Sequence, residues 1–259
     1  MIGYISHMAI AGIILAGGEG TRMNSHMVNK VVIPLAGKPM VRYGVELLEG
    51  MCEPIVIVVG AYSQTVKLAL KGFTVRYAYQ KRRFGTAHAT MSGLRELDNV
   101  TPTHVIIGYG DHMMFYKKET VKKLIDAHKN SNLALSLVTV IVEEPEKLVW
   151  GHIIRNRRGE IIDSIEHKDA SNKVKKGAEL NPSLYCFNYP FLRKMISQVK
   201  KSPAAGEYYL TDMIKIAVVA GRRVAGVRVG FNEVGVGVNT PEQLYVAQKQ
   251  LDVVYAQNG

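Results

Sequence analysis

Between Ile13 and Lys30 the sequence reads IILAGGEGTRMNSHMVNK: an apolar run, a glycine cluster, one arginine, then a lysine beyond a polar stretch. Glycines at a strand end let backbone N–H groups approach an anion with no side chain in the way. Arg22 can fork onto two phosphate oxygens, and Lys30 supplies a point charge. The chemistry this suits is the binding of a phosphate-bearing ligand. The segment is not a P-loop, which closes on Gly-Lys-Ser/Thr where this chain has Gly20-Thr21-Arg22. Nor is it a dinucleotide fingerprint, because Met23 stands where the third glycine belongs. On the loop alone, a tight turn with no ligand stays open as the rival reading.

The elements that must hold this loop are legible in the hydrophobic pattern. Short β-branched runs at Ile10–Ala16, Pro54–Val59, Phe73–Tyr79, Thr103–Gly108 and Leu133–Val140 read as strands, several of them apolar throughout, as in a sheet covered on both faces. Between them Pro39–Glu49, Ser63–Leu70, Thr86–Leu97 and Thr120–His128 carry amphipathic helical spacing. That alternation predicts an α/β fold of βαβ units with a mostly parallel central sheet. In such sheets ligands bind outside the carboxyl ends of the strands, where the glycine cluster falls. From Val142 the rhythm changes. A hairpin of Gly151–Arg155 and Ile161–Glu166 turns at Arg158-Gly159, and a strand at Ser183–Phe187 follows. Helices at Pro190–Val199 and Tyr208–Ala220, a strand at Val224–Val229 and a closing helix at Pro241–Tyr255 complete the expectation. With no linker-like break, the reading is one domain over residues 9–259, with a regular first half to residue 141 and a more irregular half from 142 that acts as a lid or second lobe. Residues 1–8 read as a tail, with Ser6-His7-Met8 either native or a cloning remnant.

Composition narrows the partners. A chain of 259 residues, 47% hydrophobic and 21% charged, can build its own core without staples. Cys52 and Cys186 lack CxxC spacing and read as reduced core thiols, which fits a cytoplasmic location. No segment approaches the roughly 18–20 unbroken apolar residues of a membrane span, and the first residues lack the layout of a secretory signal. The net charge of +11 favours anionic partners. Its basic residues are scattered, however, and "KKETVKKLIDAHK" reads as the solvated face of a helix. No cluster carries the interleaved aromatics of a base-stacking platform, so the charge points to anions and not to nucleic acid.

Ordered motifs carry a resemblance. Leu15 to Met23 matches the L-A-[AG]-G-x-G-T-R-M signature of the sugar-1-phosphate nucleotidyltransferases, and "PLAGKPM", Pro34 to Met40, continues it. "YQKRRFGTAHA" (Tyr79 to Ala89), "GYGDHMMF" (Gly108 to Phe115), "IEHKDAS" (Ile165 to Ser171), "GEYYLTDMIKIA" and "VGVGVNTPEQL" follow in the family's order. The chain is most similar to the uridylyltransferase half of bifunctional enzymes that make UDP-N-acetylglucosamine, from Ile13 to about Gln250. Three departures stand out. Asn29 occupies the usual proline position, one residue late; Asn181-Pro182-Ser183 replaces N-T-G; and no hexapeptide β-helix repeats follow, so acetyltransferase activity is not expected.

The resemblance implies a Rossmann-like three-layer fold and transfer of a uridylyl group from UTP to a sugar-1-phosphate, with pyrophosphate as product. It implies Arg22 and Lys30 as the catalytic cations, and Mg²⁺ held by Asp111 and Asn239. For Asn239 a helix N-cap is the competing role, because Thr240-Pro241-Glu242 also reads as a helix start. Nucleotide contacts fall to Leu15, Ala16, Gly17, Gly18, Gln80, Gly85, Thr86, Tyr109 and Gly110. Gln80 is expected to meet the base's imide edge with one donor and one acceptor. Gly151, Glu166 and Asn181 fall on the sugar. His88 is assigned no chemistry. Another sugar, dTTP in place of UTP, or a non-catalytic nucleotide-sugar binder are the alternatives.

Overall fold

The computed structural model describes residues 9–18, 20, 23, 27–128 and 132–258; the tail at 1–8 lies outside them. In chain order, β1 (Ile10–Ala16) precedes a two-stranded ribbon, β2 (Pro34–Leu35) and β3 (Lys38–Pro39). Then come α1 (Met40–Leu48), β4 (Ile55–Val59), α2 (Ser63–Ala69), β5 (Arg76–Tyr79), α3 (Thr86–Arg95), β6 (His104–Tyr109) and α4 (Lys118–Asp126). The second half holds β7 (Leu133–Ile141), β8 (Gly151–Arg155), β9 (Ile161–Ile165), α5 (Asn172–Lys175), β10 (Glu179–Asn181) and β11 (Tyr185–Asn188). It closes with α6 (Tyr189–Met195), α7 (Asp212–Val219), β12 (Arg223–Val229), α8 (Phe231–Val234) and α9 (Pro241–Asn258).

The main sheet runs β5-β4-β1-β6-β11-β7-β10-β8-β9, with β12 paired to β7. Its first four strands are wholly parallel. β11 enters antiparallel between β6 and β7, and β10, β8 and β9 continue antiparallel, while β12 runs parallel to β7. This is the expected α/β fold, with a parallel first half. Every residue of β4, Ile-Val-Ile-Val-Val, is buried. Successive side chains of β1 go to opposite cores. Ile13 packs with Leu94, Leu192 and Ile214 from α3, α6 and α7; Ile14 packs with Val41, Val66 and Val121 from α1, α2 and α4. Each such fully buried aliphatic contributes about 1.5–3 kcal/mol. On α4, Val121, Leu124 and Ile125 are buried while Lys122 and Lys123 face solvent, the solvated face that its sequence announced. A third cluster seats Ala247 and Leu251 of α9 on Leu35, Met40, Tyr43 and Phe115, closing the C-terminus onto the first half.

Two expected helices differ. The one expected from Tyr208 begins at Asp212, because the residues before it dock on the start of α3: Tyr208 N–H donates to Phe84 O (2.7 Å) and Ala87 N–H to Tyr208 O (2.9 Å). Tertiary pairing there outweighs local helical pattern. The Pro190–Val199 helix is α6 followed by a 3₁₀ turn at Ile196–Gln198.

Strand register sets the working edge. Ala16 lies beside Val59, Val59 beside Tyr79 and Leu15 beside Tyr109. The segments starting at Gly17, Gly60, Gln80 and Gly110 therefore leave the sheet side by side. Because β4 and β6 flank β1 on opposite sides, the carboxyl end of β1 is a topological switch point.

Candidate functional site

The loop after β1 is held from below by Asn29, a fully buried residue. Its Nδ2 lies 3.0 Å from Ala16 O, 3.0 Å from Gly18 O and 2.9 Å from Ala61 O. Two amide hydrogens are thus shared among three carbonyls of the glycine loop and the β4 exit. Asn29 Oδ1 accepts from Val31 N–H and caps the 3₁₀ turn Lys30–Val32. In the sequence Asn29 stands out only as a departure from proline; an amide side chain directly before Lys30 is the signal that could have found it. Gly17 and Gly60 cross so closely that a Cβ on Gly60 would stand 2.5 Å from Gly17 O. Arg22 lies outside the described residues.

Asn29 aims Lys30 across the strand ends. Lys30 Nζ pairs with Asp111 Oδ2 and donates to Asn239 Oδ1 at 2.8 Å. The three residues come from the loop after β1, the loop after β6 and the segment before α9. Burial raises the Asp111 pKa, but the Lys30 ammonium outweighs it and holds the carboxyl below its usual value. Beside it the His112 ring packs on Trp150, and burial drives its pKa down to about 4, so the imidazole is neutral near pH 7. Val238 N–H donates to Asp111 O (3.0 Å), tying the two segments together. Thr240 Oγ1 accepts from Gln243 N–H (3.3 Å) and Gln243 Oε1 accepts from Asn239 N–H (2.8 Å). Thr240 therefore caps α9, and the side chain of Asn239 turns toward Lys30 instead. One carboxylate and one amide oxygen converging on a single cationic point are a hard-oxygen donor set, which would suit a hard divalent cation. Among the described residues no cluster of three or more His, Cys, Asp or Glu offers a closed metal cage.

Gln80 follows β5 and is 5% exposed. Its Nε2 donates to Gly85 O (3.2 Å) and meets His88 Nδ1 (3.0 Å). Gly85 has φ 102°, and a Cβ there would stand 2.5 Å from Tyr208 O. Only glycine fits. Thr86 Oγ1 accepts from Leu210 N–H (2.9 Å), so two distant motifs fold as one unit. Gly110 N–H donates to Leu15 O (3.0 Å), which brings Leu15, Ala16, Gly17, Tyr109 and Gly110 to one rim.

Gly151, Glu166 and Asn181 lie at the start of β8, just after β9 and at the end of β10. Asn181 pairs with Gly151 across β10 and β8, and His152 pairs with Ile165, which puts Glu166 next in line. A Cβ on Gly151 would stand 2.7 Å from Ser164 Oγ. Asn181 is fully committed inside the protein. Its Nδ2 donates to Tyr185 OH (2.9 Å) and Ser164 Oγ (3.3 Å), and its Oδ1 accepts from Ser183 N–H (3.0 Å). Both of its amide hydrogens are used within the protein. Ser183 takes φ 67°, a left-handed backbone that its own sequence type disfavours. Glu166 Oε1 accepts from Thr211 Oγ1 (2.9 Å). Burial, with Asp212, Asp169 and Glu207 adding to it and Thr211 opposing, raises its pKa to about 7.

With this geometry in hand, comparison with known proteins is specific. The family model described as a MobA-like NTP transferase domain matches residues 12–177. The chain is 38% identical over 241 residues to the protein named Bifunctional protein GlmU of Caldicellulosiruptor saccharolyticus, covering 92% of this chain and 51% of that protein. The protein of the same name from Brevibacillus brevis is 36% identical over 240 residues (92% and 51%), and that from Syntrophotalea carbinolica 35% over 241 residues (93% and 51%). The chain spans about half the length of these curated relatives.

Proposed function

The chain belongs to the MobA-like NTP transferase domain family, and on that premise we propose that it is a uridylyltransferase joining UTP and N-acetylglucosamine-1-phosphate to give UDP-N-acetylglucosamine and pyrophosphate. The observation that carries the reading is the meeting of Lys30, Asp111 and Asn239 beside a glycine loop at the carboxyl edge of a parallel sheet.

A sugar-phosphate oxygen attacks the α-phosphorus of UTP; the new P–O bond forms as the bond to the pyrophosphate oxygen breaks. The attacking monoester is mostly dianionic near pH 7, its second pKa being about 6, so no general base is needed. Repulsion between two polyanions is what opposes reaction. The protein's task is positioning and charge neutralisation. The loop amides at Gly17 and Gly18, with Arg22 and Lys30, receive the triphosphate. Leu15, Ala16, Gln80, Gly85 and Thr86 receive the base, and Tyr109 and Gly110 separate it from the sugar. Gly151 and Glu166 receive the sugar against the wall that Asn181 holds. Nucleotidyltransferases of this family generally use a divalent metal, and we assign Mg²⁺ to Asp111 and Asn239. When bound, it neutralises phosphate charge where that charge is densest.

Pyrophosphate release from UTP, N-acetylglucosamine-1-phosphate and Mg²⁺ tests this directly. Asp111→Asn is expected to abolish turnover while uridine nucleotide binding persists. Undiminished turnover removes the metal assignment, and dTTP outpacing UTP several-fold removes the uracil assignment.

A further inference from the structure

Gln80 presents only one of its two hydrogen-bonding faces to the loop after β1. A backbone carbonyl can only accept, so the contact with Gly85 O fixes the amide with Nε2 on that side. His88 Nδ1, 3.0 Å from the same Nε2, must then offer its lone pair, which puts the imidazole proton on its own Nε2. Both amide hydrogens of Gln80 are consumed inside the protein. The oxygen points the other way: Gln80 Oε1 lies 3.0 Å from where a Cβ on Gly17 would stand. Among the described residues nothing donates to that oxygen. Toward the loop, Gln80 is an acceptor and nothing else. This replaces the one-donor, one-acceptor pairing expected from the sequence.

We infer that His88 is a positioning residue that locks Gln80 acceptor-outward and so selects a base with an N–H edge, the imide of uracil or thymine, over a 4-aminopyrimidine such as cytosine. The imide N3–H meets Oε1 as donor to acceptor. Cytosine N3 carries a lone pair, and facing Oε1 it leaves two buried acceptors opposed, the arrangement by which polar sites discriminate most strongly. The inference rests on the proposed contact of Gln80 with the base. His88 is kept in its accepting form by its surroundings. Burial lowers its pKa, Arg95 of α3 adds to the effect, and the Arg82 backbone opposes it. Lys81 and Arg82 line the same pocket with Tyr79, and the Phe84 ring meets His88 edge-on at 5.3 Å. A further positive charge there is disfavoured.

The test is the ratio of kcat/KM for UTP over CTP in the parent, Gln80→Ala, His88→Leu and His88→Asn. His88→Leu removes the shorter of the two contacts on Nε2 and leaves only the 3.2 Å contact with Gly85 O against turnover of the amide, so the ratio should fall at least about tenfold, largely through a lower KM for CTP. His88→Asn offers Oδ1 near the place of Nδ1 and should recover the ratio to within about threefold. If Gln80→Ala keeps the parent ratio, the base reading itself is wrong. If Gln80→Ala loses the ratio but His88→Leu keeps it, only the role of His88 is overturned. Should His88→Leu not fold, the parent's UTP:CTP affinity ratio by calorimetry at about pH 8 and about pH 5 decides. Protonated His88 sets donor against donor at Gln80 and shrinks the ratio; a ratio unchanged between the two pH values overturns the inference.

Discussion

Lys30→Met isolates the electrostatic centre of the site. Lys30 is the cation for two oxygens, Asp111 Oδ2 and Asn239 Oδ1, and the Lys30 and Asp111 side chains keep only 11% and 19% of their exposure. Burial alone pushes the Asp111 carboxyl up; Lys30 is the principal group that brings it down. Removing the ammonium leaves a carboxylate whose desolvation is opposed mainly by the local backbone near neutral pH, where His112 is uncharged. Breaking a fully buried pair costs about 3–5 kcal/mol. Discounted for residual solvent, the expected loss is about 2–3 kcal/mol, a large part of the roughly 5–15 kcal/mol that holds a typical domain. The sign with pH is fixed. A depressed carboxylate contributes stability above its unfolded pKa near 4 and loses it as pH falls through the folded value. The gap between parent and variant should therefore be widest near neutral pH and narrow as the exposed-range carboxylates protonate. Urea midpoints with chelator present measure it. The double variant Lys30→Met/Asp111→Asn should regain most of the loss, because the stranded charge is gone. A Lys30→Met protein within about 0.5 kcal/mol of the parent, or a double variant no more stable than the single one, refutes the account.

Three further outcomes follow from the same geometry. Gly85→Ala combines a glycine-only backbone (φ 102°, ψ −177°) with a Cβ 2.5 Å and 2.7 Å from the Tyr208 backbone; a loss of about 3–5 kcal/mol is expected in urea unfolding, and parental stability would show that the 84–87/208–210 clamp is loose. Asn29→Ala strips the tie among Ala16 O, Gly18 O and Ala61 O, which should cost about 1–3 kcal/mol and raise KM for the nucleotide more than it lowers kcat; an unmoved KM argues against loop support by Asn29. Glu166, raised to about 7, should bind sugar hydroxyls best when ionised, so KM for the sugar phosphate should climb as pH drops from about 8 to about 6, and Glu166→Gln should flatten that slope. Glu166 also contributes folding stability that is full below its unfolded value of 4.5 and is lost as pH rises through about 7; in Glu166→Gln that pH-linked part should vanish from the urea midpoints.

What the sequence disclosed and what it concealed divide along the range of the interactions. β4 and β1 were legible because burial on both faces demands an unbroken apolar run, and nothing distant alters that. The glycine loop was legible because close backbone approach has one residue type that permits it. β10 was not: three residues are too few for a period, and its pairing with β7 and β8 is set by partners far along the chain. The helix expected from Tyr208 lacks its first turn because the N–H groups there are used by residues 84 and 86, which no local pattern records. Among side chains, Lys30 and Asp111 could be picked out by charge and strand-end position, whereas Asn29 and His88 act through other residues. Their roles depend on which carbonyls and amides the fold brings within 3 Å or so, and that is tertiary information.

The placement of Asn239 shows where the precision of the site resides. The parallel sheet positions Asp111 through β6, but no strand carries Asn239. Its neighbour Val238 is fully buried in the cluster formed by Met40, Phe115, Ala247 and Leu251, and its N–H is bonded to Asp111 O. Thr240 then starts α9 and takes over the cap, so the backbone turns at residue 239 with the amide facing inward. The distance between the two oxygen donors is thus fixed by apolar packing of the last helix against the first half of the chain. Disturbing that packing would separate the oxygens without touching either of them. A Leu251→Ala cavity, expected to cost about 2–5 kcal/mol, should accordingly raise the divalent metal concentration needed for half-maximal turnover; if stability falls while metal dependence holds, the sheet and not the helix sets the spacing.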